Sequence, residues 1–188
     1  VTNVRDFYTK DYLEKNFSSR GELVRYFFTS DIDVDEYQNS LDYKNYLGFN
    51  LVLYDQDKIN ICSSRGKEVI KEKDKIFVIG NKAYGTSSNK LDSAKKEFDQ
   101  ILNTNFTNED LLNLMQSPQE SYDFDQKKLS ETHGNEFSAR FIHSLIYGTR
   151  STTVMTIDKN NYIEIKEQLY DQNGKIGQET EFRFKVSQ

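Results

Sequence analysis

Apolar residues at the start of the chain recur at helical spacing. Val4, Phe7 and Tyr8 are three or four residues from apolar neighbours, which places them on one face of a helix over residues 3–16. Residues 19–22, Ser-Arg-Gly-Glu, have the spacing of a capping box and predict the start of a second helix. That helix is expected to turn four apolar side chains inward: Leu23, Val24, Phe27 and Phe28.

The pattern changes to strand periodicity between residues 31 and 85. Ile32 and Val34 alternate with acidic residues, and alternation continues through residues 51–61. Polar turn residues separate these runs, which is typical of antiparallel neighbours. We therefore expect a β-meander here, ending in a hairpin over residues 75–84.

Helical spacing returns over residues 91–102. Ser88 or Asp92 lies where a cap would begin this amphipathic helix. Thr107 or Asn108 is placed to cap a short helix after it, and the only proline in the chain ends that helix because proline cannot continue the backbone hydrogen bonding.

The last part of the chain predicts strands. Residues 119–135 are strongly polar and fit an exposed strand or a loop, while residues 137–147 fit a helix or a strand, with a weak preference for strand. Alternating runs follow at residues 154–157, 162–165 and 182–186. An Asn-Gly pair between the last two is a strong signal for a tight turn.

Together these elements predict an α+β fold with one domain over residues 1–188. Two N-terminal helices precede an antiparallel β-meander that curves over a central amphipathic helix, and C-terminal antiparallel strands close the fold. A chain of 188 residues is within the usual size of a single domain.

Composition limits the partners that the chain can have. Its 12 Tyr and 13 Phe supply the apolar area that a folded core needs. A net charge of −5 lacks the basic surface that neutralises phosphates, so we expect no nucleic acid partner. No run approaches the roughly 18 apolar residues of a membrane span, so no transmembrane segment is expected.

Metal binding is not expected either. Cys62, His133 and His143 are the only cysteine and histidines, which is too few for a structural zinc site. Cys62 lies in an apolar stretch that suits a small buried residue. The sequence thus predicts no metal and no cofactor.

Two short patterns resemble ligand loops and fail where the chemistry is most demanding. Residues 31–42 resemble a calcium loop, but Glu36 stands where glycine makes the turn and Asp42 is short for the final bidentate ligand. Residues 80–87 have the glycine spacing of a phosphate-binding loop, but Thr86 stands where the lysine is needed. Strand and turn interpretations are favoured for both.

No complete catalytic set is present in the sequence. Residues 87–90, Ser-Ser-Asn-Lys, match the serine and lysine spacing of penicillin-recognising enzymes, but no Lys-Thr-Gly strand follows. Neither histidine has the spacing of a hydrolytic triad, and His143 is expected to be a half-buried, hydrogen-bonded residue. We expect no catalytic residues.

Three tyrosines are candidates for a binding surface: Tyr37, Tyr43 and Tyr46. Tyrosine combines a rigid apolar body with a polar tip, which suits both the edge of a core and a protein interface. Placement in or beside the core explains most tyrosines of the chain. An exposed subset that includes these three would mark a contact surface.

In its high content of Asn, Lys and Tyr and its start at Val1 without methionine, the chain resembles small secreted staphylococcal proteins of the Ear-like, pathogenicity-island type. The order of helices and strands also resembles half-barrel lipoprotein-carrier domains, in which a curved sheet shelters a lipid. These resemblances imply an extracellular protein of a Gram-positive bacterium, secreted or attached to the cell surface.

The favoured hypothesis is a secreted or surface-tethered binding protein, virulence-associated and without catalysis, whose partner is a protein. A carrier of a lipid or small hydrophobic ligand is one alternative. A penicillin-recognising serine hydrolase that uses Ser87 or Ser88 with Lys90 is the other.

Overall fold

The computed structural model describes residues 1–4, 16–55, 58–64, 66–71, 76–116, 140–143 and 148–186. The chain divides into two units, Val1–Ser87 and Ser88–Gln188. Each combines helices with antiparallel strands, which confirms the α+β class. The prediction that residues 1–188 form one domain, with a meander curved over the central helix, stays a prediction.

The first unit has a four-stranded antiparallel sheet with helices on one face. Its strands are β1 (Thr2–Asn3), β2 (Phe49–Asp55), β3 (Lys58–Ser63) and β4 (Gly66–Lys71), hydrogen-bonded in that order. Its helices are α1 (Gly21–Thr29) and α2 (Val34–Ser40), and a 3-10 helix follows at Tyr43–Asn45.

The alternation of side chains along β2 determines where the first core lies. Phe49, Leu51 and Leu53 are buried and pack with Leu23 of α1, because successive strand residues point to opposite faces of a sheet. Val52, between them, points to the other face and is 42% exposed. The predicted burial of Cys62 is confirmed, since it lies opposite Leu51 in β3.

The predicted helix over residues 19–28 is confirmed as α1, with two corrections. Ser19 accepts a hydrogen bond from the Gly21 backbone N–H at 3.3 Å, so it does not form the predicted capping box with Glu22. Phe28 is 79% exposed, because it points away from the sheet while Leu23 points toward it. The predicted helix over residues 3–16 is wrong at its start, since Asn3 belongs to β1, and residues 5–15 lie outside the described residues.

The prediction of strand at the start of residues 31–85 is wrong, because residues 34–40 form α2. The Asp33 carboxylate accepts a hydrogen bond from the Glu36 N–H at 2.8 Å and caps the helix. Asp35 and Glu36 lie in its first turn, where negative charge is favourable. The alternating acids are therefore the start of a helix.

The hairpin predicted over residues 75–84 is also wrong, since residues 76–80 belong to no strand. Asn50 of β2 holds this segment instead. Its buried side chain donates to the carbonyl oxygens of Gly80 at 3.3 Å and Lys82 at 2.8 Å, and accepts from the Tyr84 N–H at 3.1 Å. One side chain thus satisfies backbone groups that a strand partner would otherwise satisfy.

The second unit packs one helix on a three-stranded antiparallel sheet and a second helix against the first. The helices are α3 (Asn89–Leu102) and α4 (Asn108–Gln116), and the strands are β5 (Ser151–Ile157), β6 (Tyr162–Tyr170) and β7 (Ile176–Lys185). The predicted caps are confirmed: Ser88 accepts from the Leu91 N–H at 3.4 Å, and Thr107 accepts from the Asp110 N–H at 3.3 Å. The three closing strands are confirmed as well.

Residues 119–135 lie outside the described residues, as do all but 140–143 of residues 137–147. Among the helices that the structure describes, none has both the length and the apolar composition that crossing a membrane requires.

We expect Gly174→Ala to lower the stability of the second unit by about 1 kcal/mol or more. Gly174 has a φ of +71°, and an added Cβ would lie 3.3 Å from the His143 and Phe141 rings. Gly177→Ala is the matched control, because the nearest atom to its added Cβ lies 3.7 Å away. Urea unfolding of both variants tests this, and equal stability of the two would contradict it.

Candidate functional site

The three candidate tyrosines lie at the core of the first unit. Tyr37 is buried and donates a hydrogen bond from its hydroxyl group to the Leu23 carbonyl oxygen. Tyr43 and Tyr46 are partly buried and pack against Phe49, with ring centroids 5.7 and 5.8 Å from it. Their role in binding stays a prediction, and the burial of Tyr37 leaves little of its ring on the surface.

Tyr43 also belongs to a buried polar cluster that joins α2 to β3. Its hydroxyl group lies beside the Cys62 thiol and the Gln38 side chain. Asn60, fully buried, donates to Gln38 Oε1 at 3.1 Å and to Asp35 Oδ1 at 2.9 Å, and its own Oδ1 has no partner. Burial raises the pKa of the Cys62 thiol, which therefore remains protonated at neutral pH.

The weak sequence patterns have structural explanations. Residues 31–42 contain the cap and body of α2, and Ser88 of the Ser-x-x-Lys pattern caps α3 through its hydroxyl group. His143 is exposed, which corrects the expected half-buried position, and His133 lies outside the described residues. Within the described ranges, no group of three or more His, Cys, Asp or Glu side chains could hold a metal ion.

In the second unit, a buried glutamine ties α4 to the sheet. Gln168 of β6 is 1% exposed and accepts a hydrogen bond from Gln116 at 2.9 Å. The Tyr170 hydroxyl group accepts from Gln116 at 3.1 Å and donates to Gln168 at 3.3 Å, and Gln168 donates to Glu179 of β7. Because each member has partners, this cluster fixes the helix on the sheet.

Arg140 forms a second buried polar cluster with different properties. Its side chain is 3% exposed, and its Nη2 donates to both carboxylate oxygens of Glu97 in α3, at 2.9 and 2.7 Å. Its Nε and Nη1 are buried without any hydrogen-bond partner. The hydrogen-bonding capacity of this arginine is therefore only partly used. A buried donor without a partner costs about 1–3 kcal/mol of folding stability.

The face of the second sheet opposite α4 is apolar. Thr152 and Val154 are buried on the α4 side. The residues that alternate with them along β5 therefore point to the opposite face. The register of the three strands places two rows of apolar side chains next to each other on this face, which we name the open face. One row is Met155, Ile165 and Phe182, and the other is Ile157, Ile163 and Phe184. Met155 is 57% exposed and Phe182 59%.

Neither Arg140 nor the open face was identified as a site from the sequence. Arg140 lies within residues 137–147, whose spacing fits a helix or a strand, so no pattern predicts its burial. The open face did leave a signal, because residues at positions 182, 184 and 186 are apolar at every second place. That alternation predicts a strand, but not whether its apolar face is covered.

Comparison with protein families identifies a match over most of the chain. The family model described as TANGO2, Transport and Golgi organisation 2, matches residues 1–172 of the chain. No curated protein matches it.

This match corrects the predictions that came from resemblance. The resemblance to small secreted staphylococcal proteins of the Ear-like type is wrong, and so is the secreted, virulence-associated function drawn from it. The predicted extracellular localisation is wrong too, because the family description names transport and Golgi organisation. Richness in Asn, Lys and Tyr reflects general amino-acid usage and does not specify a compartment. The half-barrel resemblance and the two alternative functions have no support in this match.

We expect the first unit to lose stability above about pH 9. Burial raises the pKa of the Cys62 thiol from 9.0 and of the Tyr43 phenol from 10.0, with nearby Cys62 adding to the second shift. Folding therefore favours the protonated forms, and this stabilisation is complete below the unfolded pKa values and lost as the pH rises through the folded ones. Thermal midpoints measured between about pH 8 and 11 test this.

Tyr43→Phe should make the alkaline loss of stability shallower, because one of the buried titrating groups is removed. Tyr54→Phe, which removes a hydroxyl group from a half-exposed ring, is the control. A loss of stability of the same steepness in wild type and Tyr43→Phe would count against this account.

Proposed function

Because this chain belongs to the TANGO2 family, we propose that it acts in transport and Golgi organisation by binding a protein partner, without catalysing a reaction. The observation that carries the proposal is the open face of the second sheet. Its two rows place aromatic and aliphatic side chains side by side on three neighbouring strands. Contiguous exposed apolar area of this kind is a common mark of protein interaction sites.

The exposed area is large enough to matter for binding. An aromatic side chain has roughly 150–250 Å² of surface, and Phe182 and Phe184 are 59% and 48% exposed. Removing about 100 Å² of one such ring from water is favourable by about 2.5 kcal/mol, from which the entropic cost of association is subtracted. Aromatic residues at the centre of a patch are also those whose truncation weakens interfaces most.

A protein partner suits the composition of this face better than a nucleic acid. The net charge of the chain is −5, and the open face itself is built from apolar residues. Phosphate recognition depends on Lys and Arg, which the two rows lack. Burial of apolar area against a protein surface needs no such charges.

Two groups with potential nucleophilic chemistry have structural roles, which supports a function by binding. Cys62 lies in the core with its thiol protonated, whereas a reactive cysteine needs an accessible thiolate. Ser88, in the Ser-x-x-Lys pattern, uses its hydroxyl group to cap α3. Both side chains therefore stabilise the fold where they lie.

We expect Phe182→Ser to abolish the activity of this chain in transport while leaving its fold intact. The test is rescue of Golgi morphology and cargo transit in cells that lack their own family member. Glu181→Ser is the matched control, because residue 181 is the neighbour on the opposite face of β7 and is exposed. It should rescue as wild type does.

Thermal unfolding of the purified variants separates binding from folding. Since Phe182 is more than half exposed, Phe182→Ser should change the thermal midpoint by only a few degrees. A large drop with Phe182→Ser alone would mean that the chain itself covers this face, and it would refute docking of a partner there. Full rescue by Phe182→Ser would refute it equally.

We expect Cys62→Ala to rescue transport as well as wild type does. The substitution removes a buried thiol, which should cost about 1–2 kcal/mol of stability and no activity. Tyr43→Phe, which removes the hydroxyl group beside the thiol and keeps the thiol, is the control. Loss of transport with Cys62→Ala alone, in a folded protein, would point to thiol chemistry and contradict a non-catalytic role.

A further inference from the structure

The Arg140 guanidinium is a buried cation that the proposed docking of a partner does not use. It is held in a defined place by its neighbours. Phe141 packs edge-on against Tyr170 of β6 with ring centroids 4.7 Å apart, and the Ile142 N–H donates to the Thr149 hydroxyl group at 2.9 Å. The backbone on the C-terminal side of Arg140 is therefore anchored at the end of the second sheet.

Glu97 satisfies only part of this guanidinium. Both of its carboxylate oxygens lie at Nη2, and neither bonds Nε or Nη1. A guanidinium binds planar oxyanions best through a pair of adjacent nitrogens, Nε with Nη2 or Nη1 with Nη2. Both oxygens of Glu97 bond the one nitrogen that these two pairs share, so neither pair is completed.

The two partners also differ in their access to water. The Glu97 side chain is 27% exposed and the Arg140 side chain 3%. If Glu97 turned outward, its carboxylate would regain hydration, whereas the arginine would remain buried and need another anion. Another anion can therefore replace Glu97, whereas Arg140 stays in its buried position.

We propose that Arg140 is the recognition residue of a binding site for an oxyanion, a carboxylate or a phosphate group, and that Glu97 occupies the site until such a ligand replaces it. The ligand completes a two-nitrogen edge of the guanidinium and satisfies a donor that is unpaired in its absence. Because Nε and Nη1 are covered, binding requires the covering atoms to move. The site is separate from the open face and does not depend on the proposed partner.

Isothermal titration of the full chain with inorganic phosphate and, separately, with acetate at fixed ionic strength tests this site. Glu97→Gln removes the competing charge and keeps the side-chain shape, so we expect it to bind one of the two probes about ten-fold more tightly than wild type. The probe that gains affinity identifies the ligand as a phosphate or a carboxylate. Glu109→Gln breaks a 3.0 Å ion pair with Lys166 and should bind as wild type does.

Arg140→Lys in the Glu97→Gln background should lose the added affinity, because lysine keeps the charge and lacks the paired nitrogens. The thermal midpoint of each variant, with and without probe, shows whether it is folded. Unchanged or weaker binding by folded Glu97→Gln would overturn the proposal and leave the pair a structural ion pair. Equal affinity gain in Glu109→Gln would overturn it as well, since a general charge effect would then explain the result.

Discussion

The fold of each unit depends on one constraint, which is that a strand sends successive side chains to opposite faces of its sheet. In the first unit this turns Phe49, Leu51 and Leu53 of β2 toward α1 and α2. In the second it turns Thr152 and Val154 of β5 toward α4. Each sheet therefore packs against helix on one face, and in the second unit the open face lies on the other.

Buried polar side chains then fix the parts that the strands do not hold. Asn50 satisfies the backbone of residues 80–84, and Gln168 joins α4 to β6. Both work because nearly every donor and acceptor finds a partner, so burial costs little. Arg140 differs from them in having two unpaired donors, which is the observation behind the proposed oxyanion site.

The sequence was most informative where a long segment had a single period. The helices over residues 89–102 and 108–116 and the three closing strands all follow from apolar spacing and from caps at Ser88 and Thr107. The prediction failed at residues 31–42, because a few alternating acids are compatible both with the start of a helix and with a strand. Contacts between residues distant in the chain, such as Asn50 with Tyr84, produce no periodic pattern in the local sequence.

The candidate sites were harder to predict than the fold. Tyrosine chemistry suits cores and interfaces alike, so only packing decides which role a given tyrosine has. Tyr37 contacts Leu23 inside the core. Burial of Arg140 and exposure of Phe182 depend on which elements lie beside them in space. Residue type and spacing do not carry that information.

The charges of β7 limit the ways in which another chain can approach this protein. Among the described strands β7 is an outer strand of its sheet, and Glu179, Glu181, Arg183 and Lys185 alternate along it with Thr180, Phe182 and Phe184. Charged side chains on an outer strand discourage another strand from adding to it, which is the first step toward fibrous aggregates. The same strand therefore resists open-ended polymerisation through its edge while its apolar residues remain available across the sheet, so association can end at a complex of finite size.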